Sequence, residues 1–127
     1  MTVSHSDNMQ NAITNLVVDS LDVGAGANAT LEFQTSAGAA LAVLTFGTTA
    51  FGNSGASVVG LATANAMTPE SNATAGIVAK AAMKDQDGVE KVLCAVGTSG
   101  SDINISSLTL SSGDQVTMTS LTYKGPT

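Results

Sequence analysis

The chain has 127 residues, 43% of them hydrophobic but only 3% aromatic, with ten acidic residues against four lysines, no arginine and a net charge of −6. That length suits one domain, residues 1–127, able to bury roughly two-thirds of the surface its unfolded form exposes. The charge balance argues against phosphate and nucleic acid as partners, because Lys80, Lys84, Lys91 and Lys124 are scattered and no guanidinium fork is present.

Residues 6–23, "SDNMQNAITNLVVDSLDV", predict a helix. Met9, Ala12, Ile13, Leu16, Val17, Ser20 and Leu21 recur at spacings of three and four, one stripe of a 3.6-residue period. Ser6 or Ser4 suits the N-cap, Asp7 the positive end, and Gly24 the stop. The stripe is expected to cover an open face of the remaining structure, or to pair with a copy of itself.

After Gly24 the period changes to two. "ATLEFQT" places Leu31 and Phe33 inward, and "LAVLTF" (41–46), apolar on both faces, reads as a central strand. Residues 47–57 form a Gly- and Ser-rich loop. Phe51 inside it, with Val58 and Val59 just beyond, is a candidate partner contact, against the alternative that Phe51 folds back into the core. A strand is expected within 58–67, ended by Pro69. "GIVAKAAMK" (76–84) puts Ile77, Ala79, Ala81 and Met83 on one side. "VEKVLCAVG" (89–97) divides Val89, Lys91, Leu93 and Ala95 from Glu90, Val92, Cys94 and Val96. "DQDG" between them reads as a hairpin turn. "DINIS", "LTLSS" and "QVTMTSLTYK" close the chain as short strands, with Val116 and Met118 on one parity and Leu121 and Tyr123 on the other. The expected architecture is all-β, an antiparallel β-sandwich, jelly-roll-like, with one N-terminal α-helix over 6–23 and strands over 28–124.

The residues offer little chemistry. "GAGANA" (24–29) loosely resembles a dinucleotide fingerprint, but a helix precedes it and a strand follows, the reverse of what pyrophosphate binding needs. "DQDGVE" (85–90) lacks the ligand spacing of a calcium loop. One His, His5, and one Cys, Cys94, are too few for a zinc site, and Cys94 in its apolar run reads as a buried thiol. No catalytic, cofactor or metal residue is assigned, and no enzyme is expected. Residues 1–15 are too polar for a signal peptide. No apolar run reaches the roughly 20 residues that span a bilayer, so no membrane partner is expected. The sequons at Asn28, Asn72 and Asn104 read as accidents of Ser/Thr richness.

The segments "DVGAGANATLEFQTS" (22–36), "LAVLTFGTTAFG" (41–52), "GLATANAMTPESNATAG" (60–76), "KDQDG" (84–88), "VGTSGSDINIS" (96–106) and "GDQVTMTSLT" (113–122) are similar, as an ordered series, to small virion proteins of tailed bacteriophages. They resemble the capsid cement, or head-decoration, family. The resemblance covers nearly the whole chain after residue 5. It implies a protein made in the host cytoplasm and placed on the outer capsid surface, with the major capsid protein as partner and no cofactor or metal. A homo-oligomer, dimer or trimer, is expected. A tail or fibre component and a carbohydrate-binding β-sandwich module are the alternatives.

Overall fold

The computed structural model describes residues 4–26, 28–55, 58–105, 107–116 and 121–124. The helix α1 (Asp7–Asp19) starts where Ser6 Oγ accepts from the Met9 amide at 3.3 Å, and runs into one 3-10 turn, Ser20–Asp22. Nine strands follow among the described residues: β1 (Thr30–Gln34), β2 (Ala40–Thr45), β3 (Leu61–Thr63), β4 (Gly76–Ile77), β5 (Lys80–Lys84), β6 (Glu90–Gly97), β7 (Ile103–Asn104), β8 (Thr109–Leu110) and β9 (Thr122–Lys124).

The main sheet has the order β2-β1-β5-β6-β7. Its register places Ala42, Phe33, Ala81 and Cys94 in one row across four strands, and Leu44, Leu31, Met83 and Val92 in the next. Phe33 is therefore flanked by alanines on both sides. A large ring between small neighbours fills the layer at normal density without a second aromatic beside it. Phe33, Ala81, Leu31 and Leu44 are fully buried. A separate two-stranded sheet pairs β3 with β9, and α1 rests on it. Phe46 and Phe51 meet between the layers with ring centroids 5.5 Å apart and planes tilted by 41°, a favourable aromatic geometry. The result is an all-β, sandwich-like fold with a single N-terminal helix.

Several details differ from expectation. β2 ends the hydrogen-bonded order instead of standing at its centre. Its free edge is closed by the following segment, where Thr45 and Thr68 exchange amide–carbonyl bonds of 2.8 and 3.2 Å and Thr74 N donates to Leu41 O at 2.8 Å. A run that is apolar on both faces thus marks a strand covered on both faces, whatever its rank in the sheet. β7 pairs with β6 in parallel, because the chain from 98 to 102 loops back to the same end. Asp102 Oδ2 accepts the Ala95 amide at 2.9 Å within that loop. The 76–84 stretch changes parity midway: Val78, Ala81 and Met83 are buried, whereas Ile77 and Ala79 face solvent. Only Leu61–Thr63 of the 58–67 stretch forms a strand. Leu121 is buried and Tyr123 packs against the core, while Met118 lies outside the described residues. The pairings do not establish a jelly-roll order.

The β5–β6 turn is held by one side chain. Asp85 is buried, and its Oδ1 accepts the amides of Asp87 and Val89, each at 2.9 Å, while Oδ2 lies 3.5 Å from Lys91 Nζ. The Val89 amide bond lowers the Asp85 carboxyl below its ordinary value; burial works the other way, and the Asp87 amide and Lys91 reinforce the lowering. A carboxyl depressed on folding stabilises the fold above its unfolded value of about 3.9 and loses that contribution as pH falls through the lower folded value. Asp85→Asn keeps the acceptor and removes the charge. Urea titrations at stepped pH should therefore show the wild type more stable than this variant near neutrality, with the gap closing below about pH 4. A gap independent of pH would mean the charge contributes nothing.

Candidate functional site

The structure distributes the three residues expected to make contacts, Phe51, Val58 and Val59, differently. Phe51 is not on the surface. It is 2% exposed, packed on Phe46, and its segment bridges Ala64 beside β3. The apolar ring has a full set of neighbours between the layers, so the folding-back alternative holds. Val59 is half-buried, and Val58 alone is exposed.

The larger surprise is the rotation of the helix. Its inward face is Asn11, Thr14, Asn15 and Val18, followed by Leu21 in the 3-10 turn, and Thr14, Val18 and Leu21 are buried. Thr14 Oγ1 donates to Gly60 O at 2.6 Å, Asn11 Oδ1 accepts the Gly60 amide at 2.7 Å, and Asn15 Oδ1 accepts the Ser54 amide at 2.8 Å. Ser54 Oγ donates to Asn11 O at 2.8 Å. Loop backbone that a strand ladder would otherwise satisfy is satisfied by helix side chains. Glycine is required for this fit. Gly55 has φ +85°, and a Cβ there would meet the Asn11 amide group at 2.7 Å; Gly60 has φ +74° and sits directly on the Thr14 side of the helix.

The consequence is that the expected stripe faces outward. Met9 is 51% exposed and Leu16 73%, Ala12 is exposed, and Ile13 and Val17 are half-buried. Leu21 is the member of that stripe that reaches the core. The signal that identifies the inward face lies in three polar residues and a valine: Asn11, Thr14, Asn15 and Val18 repeat at 0, 3, 4 and 7, as regular as the apolar set. Apolar periodicity outweighs it only if polar residues are assumed to face water.

A cavity of about 320 Å³ opens between β6–β7 and β9, lined by Leu93, Cys94, Asp102, Ile103, Leu121 and Tyr123 among others. Its ionisable groups are poor reagents. Burial, with the Asp102 charge second, pushes the Cys94 thiol up to about 11, so it stays protonated at neutral pH and lacks nucleophilic character. Asp102 is occupied by the Ala95 amide. His5 lies ahead of α1, its carbonyl accepting from Gln10 Nε2 at 2.8 Å, and does not line this space. Among the described residues no group of three or more His, Cys, Asp or Glu is placed to hold a metal. The acids of "DQDG" are engaged as structural acceptors, Asp87 Oδ1 taking the Ala25 amide at 3.3 Å. "GAGANA" leads from α1 and its 3-10 turn into β1.

Two outcomes follow from these placements. Phe51→Ala should destabilise the fold by about 3–5 kcal/mol, whereas Val58→Ser should change stability by less than about 0.5 kcal/mol; equal effects in denaturant titrations would contradict the assignment of one to the core and the other to the surface. At pH 8, Cys94 in the native chain should react with a disulfide-exchange reagent far more slowly than after unfolding in urea. Equal rates would show an open, ionised thiol. In comparisons with known proteins, no family model, no curated protein and no solved structure matches this chain.

Proposed function

We propose that the chain is a structural protein of a tailed-phage virion: a capsid cement, or decoration, protein bound on the outer capsid surface, where it bridges and stabilises subunits of the major capsid protein. The ordered series of segments from "DVGAGANATLEFQTS" to "GDQVTMTSLT" carries this reading. What supports it physically is a β-rich domain whose helix presents apolar side chains outward while its polar groups are spent internally. Contiguous exposed apolar surface on a small domain marks a place for another molecule.

The mechanism is burial of surface at several sites at once. A contact of about 800 Å² per partner suffices for specific association. Where one homo-oligomer, a dimer or trimer, touches two neighbouring capsid subunits, the second contact is intramolecular and avidity rises. Neighbouring subunits then separate only if both contacts break together, which resists outward pressure on the shell.

Purified virions test the reading. On a denaturing gel, this chain should appear in hundreds of copies, comparable with the major capsid protein. A handful of copies would move it to the tail or its fibres, and absence from the particle would remove the proposal.

A further inference from the structure

We infer that the outward face of α1 is a docking surface for an apolar groove edged with lysine or arginine on a protein other than this chain. The inference deepens the decoration reading and rests on it, since the capsid shell would carry that groove.

The stripe Met9, Ala12 and Leu16 runs along the helix and is exposed among the described residues, with the half-buried Ile13 and Val17 beside it. Three classes of occupant could cover it, and charge separates them. Residues 1–79 contain five acidic residues and no lysine or arginine. Of those acids, Glu32 is paired with Lys84 at 2.9 Å. Glu70 accepts the Val43 and Asn72 amides, and Asp22 the Ala50 amide. Asp7 and Asp19, at the two ends of α1, are paired with no lysine among the described residues. Asp19 also lies at the negative end of the helix, where a carboxylate opposes the macrodipole and a cation would suit it. The chain beyond leads by way of Val23, which is 55% exposed, to Ala25 and its contact with Asp87, one further acid at that end.

A second copy docked helix to helix would bring the same acids to the same helix, whose residues include no lysine or arginine. The contact would also be small. Thirteen residues make a helix roughly 20 Å long and 10 Å wide, a face of about 200 Å², well short of the 800 Å² per partner of a stable pair. An anionic membrane surface is disfavoured by the same charges. A cationic-edged groove on a multivalent partner answers both problems, because it compensates Asp7 and Asp19 and because a small contact repeated over a shell gains from avidity. A homo-oligomer of this chain then forms through a different surface.

The test uses capsid shells assembled from the major capsid protein of the source phage and lacking this chain. Leu16→Asp and Met9→Asp are made in the full chain, with Asp19→Lys on the rim and Val89→Ser, exposed on the far hairpin, as control. The expected result is unchanged melting for Leu16→Asp, Met9→Asp and Val89→Ser, and slightly raised melting for Asp19→Lys, whose cation suits the negative helix end. Leu16→Asp and Met9→Asp should bind shells about 10- to 100-fold more weakly, the loss of one buried apolar side chain. Asp19→Lys should also bind more weakly, wild-type binding should fall with added salt, and Val89→Ser should bind as wild type. Leu16→Asp binding as tightly as wild type would overturn the helix assignment and leave the decoration reading in place. No binding by the wild type would overturn both. An oligomer of the isolated wild type that Leu16→Asp dissociates in sedimentation would give the face to a second copy and overturn the inference. Should Leu16→Asp fail to fold, Asp19→Lys and the salt dependence still decide the charge argument.

Discussion

The arrangement of this molecule depends on the polar seam between α1 and the loop 52–60. Two asparagines, one threonine and one serine join helix to backbone through four hydrogen bonds of 2.6–2.8 Å. A neutral bond of this kind is worth about 1 kcal/mol net, but leaving one of its buried partners unmatched costs about 1–3 kcal/mol. Geometry is therefore enforced more by the penalty for misalignment than by the gain from contact. Turning the helix to bury Met9 and Leu16 would strand the Gly60 carbonyl, the Gly60 amide and the Ser54 amide together. Packing of Val18 and Leu21 beneath then fixes the depth at which the helix sits on β3 and β9.

That seam also explains what was legible in the sequence and what was not. Strand alternation was readable at Leu31 and Phe33, and again at Val92, Cys94 and Val96, because each has an apolar cross-strand neighbour in the sheet. The Asp85–Val89 turn was readable because its residues carry the turn chemistry locally. The helix was readable as a helix, with its Ser6 cap, but not in its orientation. Apolar periodicity assigns the buried face only when the surface it meets is apolar. Here the opposing surface is the bare backbone of a glycine loop, and the residues that complement it are hydrogen-bonding ones. Phe51 was ambiguous for the reverse reason: it stands among small polar residues in sequence, yet Phe46 and the bridge to Ala64 bring an apolar site to it through space. The parallel pairing of β7 depends on the reversal over 98–102, which no short-range pattern encodes.

The core shows how a chain with so few aromatics closes. All three phenylalanines are buried, and Ala29, Ala42, Ala50, Ala62, Ala73, Ala81 and Ala82 are buried with them. Alanine contributes little apolar area per residue, but it lets backbones approach and leaves room for one large ring per layer. Phe33 between Ala42 and Ala81 is the clearest instance. Phe33 therefore accounts for a large share of its row, and no neighbouring ring there can absorb its loss. Economy in the core has a counterpart at the surface, where the acids are mostly employed in holding loops: Asp85, Asp87, Asp102, Glu70 and Asp22 each accept a backbone amide.

Asp22, Glu70, Asp85, Asp87 and Asp102 are used on the domain's own backbone, and Asn11 and Asn15 on the helix seam, so the outer face of α1 is the less polar one. In the proposed role, the outer face of α1 offers a partner shape, apolar area and the carboxylates of Asp7 and Asp19. Recognition built from those elements is weak at a single contact, because roughly 200 Å² of helix face is a fraction of an ordinary interface, and the cost of immobilising two molecules falls on every isolated encounter. The same contact becomes effective when many copies meet a regular lattice, since each additional engagement is made at high local concentration. In the proposed decoration role, a weak and sparsely charged contact works through repetition. It is also the reason the polar seam matters beyond stability: by taking the polar face of the helix inward, it sets the direction in which the apolar face points.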